Sequence, residues 1–147
     1  MVWTPHATVA AIVERDGRFL FVEELSNGER VFNQPAGHID ENEAIQDAVV
    51  RETLEESGCE VKPESLVGIY TYKAPSNGVM YYRFCYACKL IKEDLNAVLD
   101  TDIIAAHWLS LEELKLKQDL MRSPLVLKCL EDYLAGQCFP LALIYES

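Results

Sequence analysis

The chain lacks a run of about 18 consecutive apolar residues, so no segment reads as a membrane-spanning helix. It lacks a basic start followed by an apolar stretch: the opening Met1-Val2-Trp3-Thr4-Pro5-His6 carries neither, so no signal peptide is expected and the expected compartment is the cytoplasm. Bases are scarce. Thirteen Lys and Arg stand against 24 Asp and Glu, a formal charge of −11. Such a field repels nucleic-acid polymers and anionic membranes, which excludes both as expected partners, while a small polyanion remains accessible through a bridging metal ion. Histidine is sparse as well: His6, His38 and His107 are scattered and form neither a zinc motif nor part of a nucleophilic triad. There is no internal repeat, no low-complexity stretch and no Asp-x-Asp-x-Asp-Gly calcium loop. The five cysteines are an odd number, which with no secretory signal reads as reduced thiols. Cys85 and Cys88 are spaced C-x-x-C, but the run around them reads as a strand. Residues three apart on a strand face opposite ways, so the pair reads as buried thiols rather than a metal or redox site.

What is present is an ordinary globular composition, 147 residues and half of them apolar, which fits one domain over residues 1–147 with a core that needs no staples. His6 to Val13 is β-branched and apolar and reads as a buried strand. Asp16-Gly17 is a hairpin turn, and Arg18 to Glu23 its partner strand. Val31 to Gln34 reads as short and extended before a Pro35-Ala36-Gly37 loop. Glu43 to Ser57 is patterned as a helix, with Asp40 or Asn42 as its expected cap and Gly58 where a helix-ending glycine belongs. Leu66–Lys73 and Val79–Ile91 read as strands around the turn cluster Pro75-Ser76-Asn77-Gly78, with a further short strand over Ala105–Leu109. Ser110 to Glu113 opens a helix with a capping box. Ser123-Pro124 opens another that ends near Ala135-Gly136, and Phe139 to Ile144 is expected to dock as a last strand. The expected class is α/β, a mixed sheet covered by helices.

The acids are concentrated: residues 40 to 60 hold eight carboxylates and one base, Arg51. Glu52, Glu55 and Glu56 stand at i, i+3 and i+4, so three carboxylates leave one helix face within a turn. Unpaired, they repel; a hard divalent cation with oxygen ligands relieves that and recruits phosphate oxygens. Ala44 and Ala48 lie further back along the helix and are expected to leave room for substrate, with Val50 and Leu54 anchoring another face in the core. The small residues of the Pro35-Ala36-Gly37 loop permit a close backbone approach to the carboxylates.

The segment from Gly37 to Cys59 resembles the Nudix box, which runs Gly, five residues, Glu, seven residues, Arg-Glu, aliphatic, any residue, Glu-Glu, any residue, Gly, aliphatic. Gly37, Glu43, Arg51, Glu52, Glu55, Glu56 and Gly58 all match, and Thr53 and Cys59 depart at two aliphatic positions. The early strands and the Trp108-Leu109-Ser110 step resemble the rest of a Nudix domain. The C-terminal stretches from Arg122 to Val126 and from Tyr133 to Leu141 resemble the NudJ-type branch, bacterial phosphatases of nucleoside tri- and diphosphates and of thiamine-related pyrimidine pyrophosphates. The resemblance implies a Nudix α/β/α sandwich and a hydrolase that cleaves a small-molecule phosphoric anhydride by in-line attack of water. It implies Mg²⁺, with Mn²⁺ as a substitute, held by Glu52, Glu55, Glu56 and the carbonyl of Ala36 or Gly37. It implies that Arg51 orients the carboxylates through Glu43 or Glu56, and that an acid before the Trp108 strand joins the site, with Asp102 the first choice and Asp100 the reserve. Arg83 and Lys73 are the expected phosphate-holding bases, with Arg122 behind them. Phe32, Tyr70, Tyr72, Tyr81 and Tyr82 are candidates for a stacking face, and Asn33 and Gln34 for contacts to a base edge. A monomer is expected. The box itself does not choose between these substrates and ADP-ribose, dinucleoside polyphosphates or oxidised nucleotides, nor does it by itself exclude a non-catalytic ligand-binding module.

Overall fold

The structure is a computed structural model that describes residues 2–147. Seven strands run β1 His6–Arg15, β2 Arg18–Ser26, β3 Glu29–Asn33, β4 Ala36–His38, β5 Cys59–Lys73, β6 Met80–Glu93 and β7 Ile103–Ser110. Three helices are α1 Ile45–Ser57, α2 Leu111–Leu116 and α3 Pro124–Leu134, with short 3₁₀ turns at Gln118–Leu120 and Leu141–Leu143. The centre is β1. It pairs in parallel with β6 from His6–Tyr81 to Val13–Cys88, and β6 pairs antiparallel with β5. On its other side β1 is shared: β4 lies against Thr8–Ala10, and β2 joins only at Glu14 and Arg15, through the Asp16-Gly17 hairpin. Past that hairpin β2 departs to pair with β3 and β7, so the sheet splits into two wings.

The alternation of β1 explains why it is apolar on both faces. Val9, Ala11 and Val13 join a core with Ala48 and Val49 of α1, while Ala10 and Ile12 join a core with Val126, Cys129 and Leu130 of α3. A mixed sheet between helical layers is thus the α/β/α sandwich expected from the sequence. Cys85 and Cys88 fall into opposite cores, as three-residue spacing on a strand requires.

Four local expectations are corrected. Ala36–His38 is a strand, not a loop, because Gly37 and Ala36 complete the edge left free where β2 turns away from β1. Neither Asp40 nor Asn42 caps α1. Its N-cap is Ala44, and the first N–H groups are met by the carboxylate of Glu146, which accepts from Ile45 at 2.6 Å and Gln46 at 3.5 Å. The segment from Phe139 to Ile144 makes a single bridge to Leu66 and then a 3₁₀ turn rather than a strand. On α1, Ala48 is fully buried in the core, so it opens no space for a ligand, and Leu54 is the exposed position at 47%. The helix ends as expected: Gly58 has φ of 75° and its N–H meets the Leu54 carbonyl. A side chain at Gly58 would also crowd the Asp94 carbonyl. Both departures from the Nudix box consensus fill buried positions, and Thr53 returns its hydroxyl to the Val49 carbonyl at 2.7 Å.

Candidate active site

The last turns of α1 bring Glu52 and Glu55 toward the loop before β7, where Asp100 meets them; one carboxylate oxygen from each of the three lies within 4.8 Å of the others. Asp100 is held there by backbone, its N–H donating to the Glu55 carbonyl at 3.0 Å and its own carbonyl accepting from Ile103 at 2.9 Å. Glu56, four residues after Glu52, is buried, and its carboxylate accepts the Ala36 N–H at 2.9 Å. Burial, against that hydrogen bond and with Glu24, Glu52 and Asp100 nearby, pushes its pKa up to about 8. Burial also raises Glu52, opposed by Arg51. Gly37 is what permits this convergence: a methyl group there would overlap the Glu52 carboxyl group. An all-oxygen, carboxylate-rich cluster of this kind fits a hard divalent cation.

Arg51 organises the acids. Its Nε and Nη2 donate to Glu43 at 2.7 and 2.9 Å, its Nη1 to Glu52 at 2.9 Å and Glu55 at 3.2 Å, and Nη2 also to the His38 carbonyl at 3.0 Å. The hydrogen bond that Arg51 donates to Glu43 is the main reason the guanidinium is held charged more firmly than usual, and the same bond lowers the Glu43 carboxyl. Of the two partners expected for Arg51, the structure shows Glu43 and not Glu56.

The acids open into a cleft of about 740 Å³. Arg83 reaches its floor from β6, buried and fixed by Gln34 Oε1 at 3.0 Å and Asn33 Oδ1 at 2.8 Å. Asn33 also lines the cleft, whereas Gln34 is fully buried and donates to the Val126 carbonyl. Arg122 also lines the cleft, paired with buried Glu24 at 2.6 Å. Two expected residues are elsewhere. Lys73 points to solvent because its neighbour Tyr72 takes the cleft-facing side of β5, and Phe32 lies in the core because its neighbour Asn33 takes that side of β3. Asp102 lines the cleft, but Asp100, held in reserve on sequence grounds, is the acid that joins the glutamates. Glu24 was not anticipated. Its only signal is an acid at the end of an apolar strand.

The family model of the NUDIX domain matches residues 4–128. The chain belongs to the Nudix family. As a Nudix hydrolase it acts on phosphoric anhydrides. It is 38% identical to "Phosphatase NudJ" of Shigella boydii over 143 residues, 97% of this chain and 92% of that protein. It is 37% identical to the protein of the same name from Escherichia coli K12, over the same shares. Among solved structures, a "NUDIX hydrolase from Nitrosomonas europaea" superposes with a TM-score of 0.95 at 43% identity, covering 98% of both chains. A UDP-X diphosphatase, at 19% identity over 95% of this chain and 68% of its own, shares the fold with a TM-score of 0.74. No helix of this Nudix hydrolase, among the described residues, is long and apolar enough to cross a membrane.

Proposed function

We propose that the chain is a Mg²⁺-dependent phosphatase of nucleoside tri- and diphosphates or related small pyrophosphates, thiamine-type pyrimidine pyrophosphates included, that releases orthophosphate. We place it in the cytoplasm as a single-domain monomer, with Mn²⁺ as a substitute metal. The observation that carries the reading is the meeting of Glu52, Glu55 and Asp100 at a cleft whose cationic lining is Arg83 and Arg122. Its likeness to the NudJ phosphatases supports the release of orthophosphate. Glu52, Glu55 and Asp100 would hold the metal, with the Gly37 carbonyl completing the set. When bound, the ion neutralises the anhydride oxygens and makes the attacking water more acidic. The chain's own groups do the rest. Arg51 keeps Glu52 and Glu55 aimed in one direction. We assign the proton of the water to Glu56, whose carboxylate accepts the Ala36 N–H, with Asp102 as a second carboxylate lining the cleft. Arg83, Asn33 and Arg122 hold the substrate by donating to its oxygens.

The test is orthophosphate release with Mg²⁺ from a panel of nucleoside di- and triphosphates, ADP-ribose and thiamine-type pyrophosphates, with Glu52→Gln as the control. Orthophosphate from tri- and diphosphates, lost in the variant, is the expected result. Turnover of ADP-ribose alone, or pyrophosphate as the product, would retain the Nudix chemistry and reject the phosphatase reading.

A further inference from the structure

Five aromatic side chains reach the neighbourhood of the cleft by sequence, and the structure sorts them. Phe32 is core. The Tyr70 hydroxyl is tied to Asp132 of α3 at 2.8 Å, beneath the helix. Tyr82 sits opposite Ala7 in the β1–β6 register, on the sheet face away from Arg83. Tyr72 and Tyr81 are different: they stand directly opposite each other on β5 and β6, half-buried, and both line the cleft. Tyr81 is braced by neighbouring rings. Its ring packs edge-on against His6 at 5.5 Å and His38 at 6.2 Å, and the two imidazoles share a 2.9 Å hydrogen bond. Tyr81, held by these rings, and Tyr72, across from it in the register, together offer a stacking surface on the cleft.

The same strand supplies an edge. Arg83 is two residues beyond Tyr81 and therefore on the same face. Arginine has only donors, so the amide oxygen of Asn33 must face it, which leaves the Asn33 nitrogen as a donor too. Gln34 is arranged in the same way, with its nitrogen spent on the Val126 carbonyl. The cleft floor beside the tyrosines is thus donor-rich. A ring lying over Tyr81 fits it best with a carbonyl oxygen on that edge, as guanine and uracil have. Adenine would place an amino donor against donors, and so would the aminopyrimidine of a thiamine-type substrate, so both are expected to be used less well than GDP or UDP.

We propose that Tyr72 and Tyr81 are the platform on which a keto-bearing nucleobase of the substrate stacks, with Arg83 and Asn33 reading its carbonyl oxygen. The proposal rests on the reading of this cleft as a nucleotide phosphatase site. It is tested by comparing kcat/KM for GDP and UDP with that for inorganic tripolyphosphate, which has no ring. In Tyr72→Ala and Tyr81→Ala the nucleotide-to-tripolyphosphate ratio is expected to fall by about tenfold or more, mainly through KM, the size expected for one lost stacking partner. Tyr72→Phe and Tyr81→Phe are expected to restore it. In the unaltered protein GDP and UDP should exceed ADP by about tenfold, the cost of facing donors with a donor. An unchanged ratio in the alanine variants overturns the platform, and equal use of ADP overturns the reading of the edge. Calorimetric binding of UDP to the unaltered protein and to Tyr72→Ala reads the platform separately. Should no anhydride be cleaved at all, the phosphatase reading fails, while weaker UDP binding by the variant still decides for the platform and equal binding against it.

Discussion

Gly37 and Arg51 act on the same carboxylate from two sides. Gly37 leaves room for Glu52, and Arg51 fixes where it points. Gly37→Ala should therefore displace the Glu52 carboxyl and lower kcat by about 100-fold, the scale of a misplacement of roughly 1 Å, with a far smaller change in thermal stability. Steady-state kinetics beside a thermal melt separate the two. Arg51→Lys keeps the charge but not the planar fork that grips Glu43 while reaching Glu52 and Glu55, so it is expected to lower both kcat and Tm. Equal activity in Arg51→Lys would mean that charge alone suffices. These residues are legible in the sequence because helical spacing is local: i, i+3 and i+4 state which carboxylates share a face. Asp100 is not legible in that way. It reaches Glu55 through one backbone hydrogen bond across 45 positions of chain, and nothing in its own neighbourhood separates it from Asp102. Lys73 and Phe32 show the opposite limit, since being one residue off on a strand reverses the side chain and no local pattern marks which face meets the cleft.

At the scale of elements, α1 has an N-terminal cap that comes from more than 100 positions away. Glu146 accepts from Ile45 and Gln46, where a carboxylate also opposes the positive end of the helix. Glu146→Ala should cost about 1 kcal/mol of stability, the usual worth of an N-cap, read as a shift in the denaturant midpoint with an unchanged slope. The sequence suggested Asp40 or Asn42 for this role, because caps are normally local. Glu43 is diverted to the Asp40 N–H and Arg51, which leaves the helix start to the distant residue. Long strands and the helices with Ser caps were legible from alternation and from the box at Ser110, whose hydroxyl accepts from Glu113 as the pattern requires. The three-residue β4 carries too few residues to show a period, and only the gap left by β2 explains it.

Across the whole molecule, Glu93 joins the two wings. From the end of β6 it accepts the Trp108 indole N–H of β7 at 2.7 Å and Arg15 of β1 at 2.8 Å, while Arg15 lies 4.0 Å over the Trp108 ring. The Trp108 bond first, and then Arg15, hold the Glu93 carboxyl below its ordinary range. A lowered folded-state pKa means the contribution is complete above the unfolded value of about 4.3 and fades as pH falls through the lower folded value. Glu93→Gln is thus expected to lower Tm at neutral pH, and the gap from the unaltered protein should close below about pH 4. Melts across a pH series check this, and a gap that persists in acid would assign the loss to packing instead.

The parallel pairing of β1 with β6 also has a cost in time. Each residue from His6 to Val13 meets a partner 75 positions later, between Tyr81 and Cys88. At synthesis rates of about 5–20 residues per second, β1 waits roughly 4–15 s on the ribosome before that partner exists. The hairpin with β2 pairs only Glu14 and Arg15, so the apolar stretch before them has only the three residues of β4 to pair with until β6 exists. The strand that later forms the deepest part of both cores is therefore, during biosynthesis, the segment most in need of a chaperone.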